Sequence, residues 1–284
     1  MKRLLAPTSH LQKMASGIVI GVIVGVIVGV ILHLLSQQHY DGPPVRIDHV
    51  FDERDHELQG DTWVFAHPLH LSSATLARIN MPLKIEREHG FVGNLNPFDR
   101  WAIAHGGVDP SLAVTRVILE GNRSRTVEIL GITADAQCQQ PLAGTIFYSP
   151  TAGADPVARM GFNLDLPDPI AQKASGGFVS PQPYFETTTI SLAPGEQQVV
   201  DMIAVTERHF CRYTFILKVL DGHTISTETL DDNGKPFQVS AAGGDSSSPL
   251  FSHYRSVYVG GVATPNGLFV PVSSDYGLLG NGSR

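Results

Sequence analysis

The sequence is poor in cysteine and has no excess of basic residues, and each shortage excludes a class of protein. Two cysteines among 284 residues are too few for a disulfide-dense scaffold or for a zinc site with four thiolate ligands. The 20 Lys and Arg are outnumbered by 27 Asp and Glu, which gives a formal charge of -7. Because nucleic-acid binding needs a concentrated basic surface, we expect no nucleic-acid partner.

Motifs of the common catalytic and nucleotide-binding sites are also missing. The chain has no G-x-S-x-G, no Walker-type loop and no G-x-G-x-x-G after a predicted strand. Its histidines do not occur at the spacings of zinc ligands. The Asp-Asp-Asn-Gly sequence at 231–234 lacks the glutamate that a calcium loop carries at its twelfth position, and a hairpin turn explains it better. We therefore predict no metal ion, no cofactor and no enzymatic activity.

Residues 15–35 form the longest stretch without a charge, and its length is that of a membrane-spanning helix. At 1.5 Å per residue, a helix of this length spans about 30 Å. A cleavable signal peptide has a shorter apolar core and a small-residue cleavage site, and neither occurs here. Three basic residues precede the stretch, whereas only Arg46 follows at a comparable distance. The positive-inside rule therefore predicts a single-pass plasma-membrane protein with residues 1–14 in the cytoplasm and the rest outside.

Glycine recurs at every fourth position of this stretch, at Gly17, Gly21, Gly25 and Gly29. Residues at this spacing share one face of a helix, and a glycine face lets a second helix approach closely in lipid. The hypothesis is a homodimer, or docking onto another membrane protein. The alternative is a simple anchor of low complexity. Association in membranes that survives the double substitution Gly21→Ile and Gly25→Ile would contradict the hypothesis.

The remainder of the chain divides by composition. Residues 36–62 are polar and rich in charge, which predicts a tether. Residues 63–240 are predicted to form an extracellular β-domain with one short helix at 97–105, since Pro97 suits its first turn and a Gly-Gly pair follows its end. Residues 71–93 have neither helical nor strand periodicity and receive no element. Residues 241–284 are interpreted as a linker and a C-terminal tail to which a strand pair is assigned.

Short segments rich in β-branched and aromatic residues dominate residues 111–240. In "SLAVTRVILEG", Val114, Arg116 and Ile118 alternate with the residues between them, and turn residues bound each segment. The Asn233-Gly234 pair is typical of a hairpin turn. With no helical pattern between the segments, the sequence predicts a mainly β fold, namely an immunoglobulin-like antiparallel β-sandwich that follows an N-terminal transmembrane helix.

Several short motifs in residues 98–240 occur together: the Gly106-Gly107 turn, "PLAGT", "GFNLD", "PYF" and "DNGKPF". In these motifs the chain resembles a group of single-pass, membrane-anchored β-domain proteins of streptomycete-like actinobacteria. The resemblance implies a Gram-positive plasma membrane and a β-domain in the cell envelope. It carries over no catalytic or ligand-binding residue.

Cys138 and Cys211 are the candidate disulfide. Both are predicted to lie outside the membrane, where thiols tend to oxidise, and each adjoins the end of a predicted strand. A bridge closing a loop of this length would stabilise the fold by about 4 kcal/mol. The alternative is two buried free thiols. A catalytic cysteine is not supported, because no Cys–His pairing can be argued from the sequence.

The leading functional hypothesis is a non-enzymatic interaction or structural module of the cell envelope, with an envelope protein or a wall polymer as its partner. The β-domain, the tether and the missing catalytic motifs support it. One alternative is an envelope hydrolase whose carboxylates come from Asp165, Asp168 and Glu186. A second alternative is an accessory subunit that docks onto a membrane complex through the glycine-faced helix.

Overall fold

Strands make up most of the structure, as the sequence predicts. The computed structural model describes residues 40–51, 59–89, 97–150, 158–243 and 251–274. The described residues contain helix α1 (Ser73–His89), helix α2 (Pro97–Ala104) and a 3-10 turn at Tyr184–Glu186. Helix α2 ends one residue before the predicted boundary.

The strands follow in chain order and define a mainly β protein. They are β1 (Val45–Phe51), β2 (Trp63–Phe65), β3 (Asp109–Pro110), β4 (Leu112–Gly121), β5 (Val127–Gln139), β6 (Thr145–Tyr148), β7 (Ala158–Asn163), β8 (Gln172–Ser175), β9 (Phe178–Pro183), β10 (Ile190–Leu192), β11 (Gln197–Val205), β12 (Phe210–Asp221), β13 (Thr224–Leu230), β14 (Phe237–Ser240), β15 (Ser256–Gly261) and β16 (Gly267–Val272).

These strands form three sheets. The first sheet has the order β1-β4-β11-β7-β8-β9. The second has the order β10-β5-β12-β14-β3, with β13 also paired to β12, and the third has the order β16-β15-β6-β2. The pairs β7–β11, β3–β14 and β6–β15 are parallel. The antiparallel sandwich that the sequence predicts would have two sheets and only antiparallel pairs. The prediction is therefore wrong in both respects, because three pairs are parallel and the described strands form three sheets. Each parallel pair joins strands that are distant in sequence, and local turn signals do not reveal such pairs.

Alternating residues of the first and second sheets form one buried core. On β4, Val117 and Leu119 belong to it, and on β12 so do Phe215 and Leu217. The ring of Phe162 on β7 lies 4.7 Å from the ring of Phe215, measured between centroids. The period-2 pattern that the sequence shows in these strands thus places one side of each sheet in a common core.

The interior strands of the third sheet, β6 and β15, are buried on both faces. Ile146 of β6 and Val257 of β15 belong to one apolar cluster. Their neighbours Phe147 and Tyr258 belong to a second cluster. The cluster around Phe147 includes residues of helices α1 and α2. The cluster around Ile146 includes Phe210 at the start of β12. Burial on both faces explains why β6 and β15 are continuously apolar in sequence, without alternation.

Two segments that the sequence assigns to flexible connections belong to sheets. Residues 45–51, inside the predicted tether, form β1 and pair with β4. Here Val45 is fully buried and Ile47 packs against the core, but the surrounding charges hide this alternation in the sequence. The strand pair assigned to the C-terminal tail is present as β15 and β16, and β15 lies in the interior of the third sheet rather than in a tail.

Helix α1 occupies residues to which the sequence assigned no element. Ser72 caps it, because the Thr75 amide donates to the Ser72 hydroxyl over 3.2 Å. Ile79 is buried and, with Leu76 and Leu83, contacts the aromatic cluster of the third sheet. The Pro in the interior of the helix removes one backbone donor, and it weakens the helical signal of the sequence. Packing of the Leu and Ile face therefore decides the structure of this segment.

Asn80 on α1 covers the outer edge of the third sheet. Its side-chain amide donates to the carbonyl of Phe269 over 2.9 Å, and its side-chain oxygen accepts from the amide of Phe269 over 2.8 Å. One side chain thus satisfies both backbone groups of Phe269, which β16 would otherwise present to another strand. A covered edge of this kind protects a sheet from pairing with further chains.

Residues 43–284 form one compact unit. The proposed anchor, residues 15–35, and its four spaced glycines lie outside the described residues. Within the described residues, no helix combines the length and the apolar character needed to span a membrane.

Candidate functional site

A cleft of about 280 Å³ opens between the first and second sheets, beside the end of helix α2. Ala113 and Thr115 of β4 contribute from one sheet, and Tyr213 and Phe237 contribute from the other. The complete lining consists of Trp63, Ile103, Gly106, Gly107, Val108, Asp109, Ala113, Thr115, Tyr213, Asp232, Lys235, Pro236, Phe237 and Gln238. The cleft therefore has aromatic and small apolar residues together with several polar side chains.

The end of helix α2 forms one side of the cleft. Gly107 donates its amide to the carbonyl of Ala102 over 2.8 Å, and Gly106 has a φ of 78°, the conformation that ends many helices. A Cβ atom at Gly107 would lie 2.8 Å from the Ala102 carbonyl oxygen and 3.0 Å from the indole ring of Trp63. Glycine at this position therefore lets the chain turn closely over Trp63.

A tight turn forms the opposite side. Asn233 and Gly234 have φ values of 52° and 84°, and Asp232 and Lys235 exchange both backbone hydrogen bonds, at 2.8 and 3.0 Å. The amide of Gly234 also donates to the carboxylate of Asp231 over 2.8 Å. The Asn-Gly pair thus forms the tight turn that the sequence indicates, with positive φ at both central residues. The strands before and after it, β13 and β14, each pair with β12 and not with each other, so the turn does not join a hairpin of these two strands. It fixes Asp232 and Lys235 at the mouth of the cleft.

Buried polar contacts hold the wall of the cleft. The indole nitrogen of Trp63 donates to the carboxylate of Asp99 over 2.9 Å, and both side chains are buried. The side-chain amide of Gln59 donates to the carboxylate of Asp109 over 2.8 Å and to the carbonyl of Leu112 over 2.9 Å. Because buried polar groups are costly to leave without partners, these bonds make the wall rigid.

The charged groups of the lining are two carboxylates and one ammonium group, from Asp109, Asp232 and Lys235. The hydroxyl of Thr115 adds a neutral donor and acceptor, whereas the side chain of Gln238, which also belongs to the lining, alternates to the face opposite Phe237. Gln238 is exposed, whereas Thr115 is buried. The cleft can therefore form hydrogen bonds to a small polar ligand, and aromatic side chains also line it.

Sequence reasoning did not select any of these five polar residues. The two local signals that border the cleft, the Gly-Gly end of the helix and the Asn-Gly turn, are visible in the sequence. They are separated by more than a hundred residues, and only the pairing of β3 with β14 brings them together. No local pattern could have indicated that juxtaposition.

The predicted site residues lie elsewhere. Cys138 and Cys211 face each other on β5 and β12, with their Cα atoms 4.1 Å apart, and form a disulfide with an S–S distance of 2.01 Å. Cys211 is fully buried, whereas Cys138 is exposed. The bridge joins the strands near the end of the second sheet and does not line the cleft.

The three carboxylates of the hydrolase alternative occupy separate local settings. Asp165 follows β7, Asp168 lies in the β7–β8 loop and Glu186 ends the 3-10 turn. The carboxylate of Asp165 accepts hydrogen bonds from the Thr206 hydroxyl and the Glu207 amide, both over 2.8 Å. It also contacts the ring nitrogen Nδ1 of His209 at 2.7 Å and is only 8% exposed. Through these contacts Asp165 stabilises the loop between β11 and β12, and we assign it a structural role.

The same contacts set the acidity of Asp165. Burial alone raises the pKa of this carboxyl group, but hydrogen bonds from Glu207, His209 and Thr206, with the charge of Arg208, lower its pKa by more. A lowered pKa in the folded state stabilises the fold above the pKa of the unfolded chain. This contribution is lost as the pH falls through the folded-state pKa.

We therefore expect Asp165→Asn to lower the free energy of unfolding by about 1–3 kcal/mol at neutral pH. The difference from the unsubstituted protein should begin to shrink as the pH falls below about 4, where the unfolded chain takes up a proton at Asp165, and should shrink further as the pH falls through the lower pKa of the folded state. Urea unfolding of both proteins at a series of pH values measures this difference in the free energy of unfolding. Asp135→Asn, at an exposed position of β5, is the matched control and should change the free energy by less than about 0.5 kcal/mol. A pH-independent difference would contradict the assignment.

Other site hypotheses involve the histidines and metal ions. Within the residues that the structure describes, no group of three or more His, Cys, Asp or Glu is arranged to hold a metal ion. Among the histidines, His209 pairs with Asp165, and His105 contacts the carbonyl of Trp101 at 2.7 Å through its Nδ1 atom. The glycine face at 17–29 lies outside the described residues.

Comparisons with models of known protein families, with curated proteins and with solved structures give no match for this chain.

Proposed function

We propose that the chain is a non-enzymatic binding module of the bacterial cell envelope, anchored by residues 15–35 and bearing its partner-binding site in the cleft beside α2. In this proposal residues 43–284 lie outside the cell. The first two sheets pack face to face as an immunoglobulin-like β-sandwich. Their shared core supports the sandwich interpretation. The length and flanking charges of residues 15–35 support the anchor.

The cleft is the observation that carries the binding role. Rigid elements hold it on both sides, since a capped helix end and a hydrogen-bonded turn border it. Recognition sites are commonly concave, mostly preformed, and equipped with a few polar groups that orient the ligand. Loops at the end of a rigid scaffold are also where binding residues concentrate. The cleft combines both properties.

Hydrogen exchange tests the proposal. The full-length chain is compared with and without an envelope extract from its native host, and exchange is followed by mass spectrometry. We expect slower exchange of amides in 103–109 and 231–238, which border the cleft. Residues 224–228 of β13, which do not line it, should be unaffected. Protection confined to segments away from the cleft, or none at all, would contradict the proposed binding site.

A further inference from the structure

We propose that the cleft binds a neutral sugar ring, as one glycosyl unit of an envelope glycan. This inference rests on the proposed function, because it names the ligand class of the same site. Its basis is the size, the hydrogen-bonding groups and the charge balance of the lining.

The size of the cleft limits the ligand. Sites for drug-sized molecules have volumes of about 300–1,000 Å³, and the volume of about 280 Å³ lies just below that range. One six-membered ring with its substituents fits such a space, whereas a dinucleotide or an amphipathic helix does not. Ala113, Tyr213 and Phe237 of the lining belong to the core of the first two sheets, and the volume of the cleft is too small for a long acyl chain.

The polar lining matches the hydroxyl groups of a sugar. Each hydroxyl group both donates and accepts hydrogen bonds. The carboxylates of Asp109 and Asp232 accept, the ammonium group of Lys235 donates, and the hydroxyl of Thr115 does both. Hydrogen bonds to charged groups are the stronger ones, so a ring bearing several hydroxyl groups gains most from this mixture. Trp63 and Tyr213 of the lining offer apolar contact to the ring carbons.

The charge balance favours a neutral ligand over an anionic one. Two carboxylates against one ammonium group leave the lining with one negative charge in excess. A uronate or a phosphate would place a second negative charge within several ångströms of Asp109 or Asp232, and like charges at such distances repel. A phosphorylated wall polymer is therefore disfavoured relative to a neutral glycan.

Saturation-transfer NMR on the full-length chain in phosphatidylcholine nanodiscs tests the inference without glycoside detergents. The probes are the methyl glycosides of glucose, galactose, mannose and N-acetylglucosamine, with methyl glucuronide as the anionic comparison. We expect at least one neutral glycoside to bind with a millimolar Kd, and methyl glucuronide to bind at least about tenfold more weakly. Absence of binding by every neutral glycoside, or equal binding of methyl glucuronide, would overturn the inference.

Two aspartates provide a matched pair of variants. Asp232 lines the cleft, whereas Asp135 is exposed on β5 and does not line it. Asp232→Asn should weaken glycoside binding by about tenfold, and Asp135→Asn should leave it unchanged. Equal effects of the two substitutions would overturn the inference. Thermal unfolding of each variant checks that it is folded, and Lys235→Met provides a second cleft variant with the same expected loss.

The outcomes separate this inference from the proposed function. Protection of the cleft by envelope extract, without binding of any neutral glycoside, would remove the sugar inference and leave the binding module intact. Neither protection nor glycoside binding would remove both. Glycoside binding that Asp232→Asn weakens and Asp135→Asn leaves unchanged supports both.

Discussion

Phe147→Ala is expected to lower the free energy of unfolding by about 3–5 kcal/mol, the range for removing a fully buried aromatic side chain. Phe147 lies on β6, in the interior of the third sheet, and is completely buried. Its ring stacks on Tyr258 with centroids 4.6 Å apart and meets Phe269 edge-on at 5.1 Å. It also lies 5.4 Å from Phe98 of helix α2. The substitution would leave a cavity among elements that come from four parts of the chain.

Thermal unfolding followed by circular dichroism measures this effect. For a domain of this size, a loss of this magnitude lowers Tm by about 10 °C. Phe178→Ala is the matched control, because Phe178 is 85% exposed, and it should change the free energy by less than about 0.5 kcal/mol. An effect of Phe147→Ala as small as that of the control would contradict the assignment of the third sheet and α2 to a single packed unit.

Removal of the disulfide is expected to cost about 4 kcal/mol, because the bridge closes a loop between residues 73 positions apart. The suitable variant carries Cys138→Ser and Cys211→Ala. Cys138 is exposed and tolerates a hydroxyl group, whereas Cys211 is fully buried, where an unpaired serine hydroxyl would add a separate cost. The variant therefore isolates the loss of the covalent link.

Urea unfolding with and without a thiol reductant measures the contribution. The unsubstituted protein should lose stability in the reductant until it approaches the double variant, and the double variant should not respond. Intact mass before and after alkylation reports the bond directly. Two alkylated cysteines in the oxidised, unfolded protein would contradict the disulfide. A fully formed disulfide, together with equal free energies of unfolding for the unsubstituted protein and the double variant, would contradict the loop-entropy argument.

The sequence predicts the mainly β class well, because burial of one face gives strands such as β4 and β12 a period-2 pattern. It also places helix α2 and the Asn233-Gly234 turn, since both depend on local chemistry. Helix α1 was not predicted, because its apolar stripe is short and a Pro interrupts it. Its contact with the aromatic cluster stabilises it instead.

Strand partners were the part of the fold that the sequence could not predict. The parallel pair β6–β15 joins residues more than a hundred positions apart, and no turn between them signals the pairing. The same holds for the cleft. Its polar residues come from β3, β4, β14 and the turn before β14, and each is unremarkable in its own segment. Sites assembled by tertiary pairing leave no local pattern for sequence reasoning to find.

The most direct test of the binding cleft is photocrosslinking in living cells of the native host. A benzophenone amino acid replaces Lys235, which lines the cleft, in one variant and Lys218, an exposed residue of β12 that does not line it, in another. We expect irradiation to give a discrete adduct from position 235 and none from position 218. Equal adducts from both positions, or an adduct from position 218 alone, would contradict a partner-binding site in the cleft.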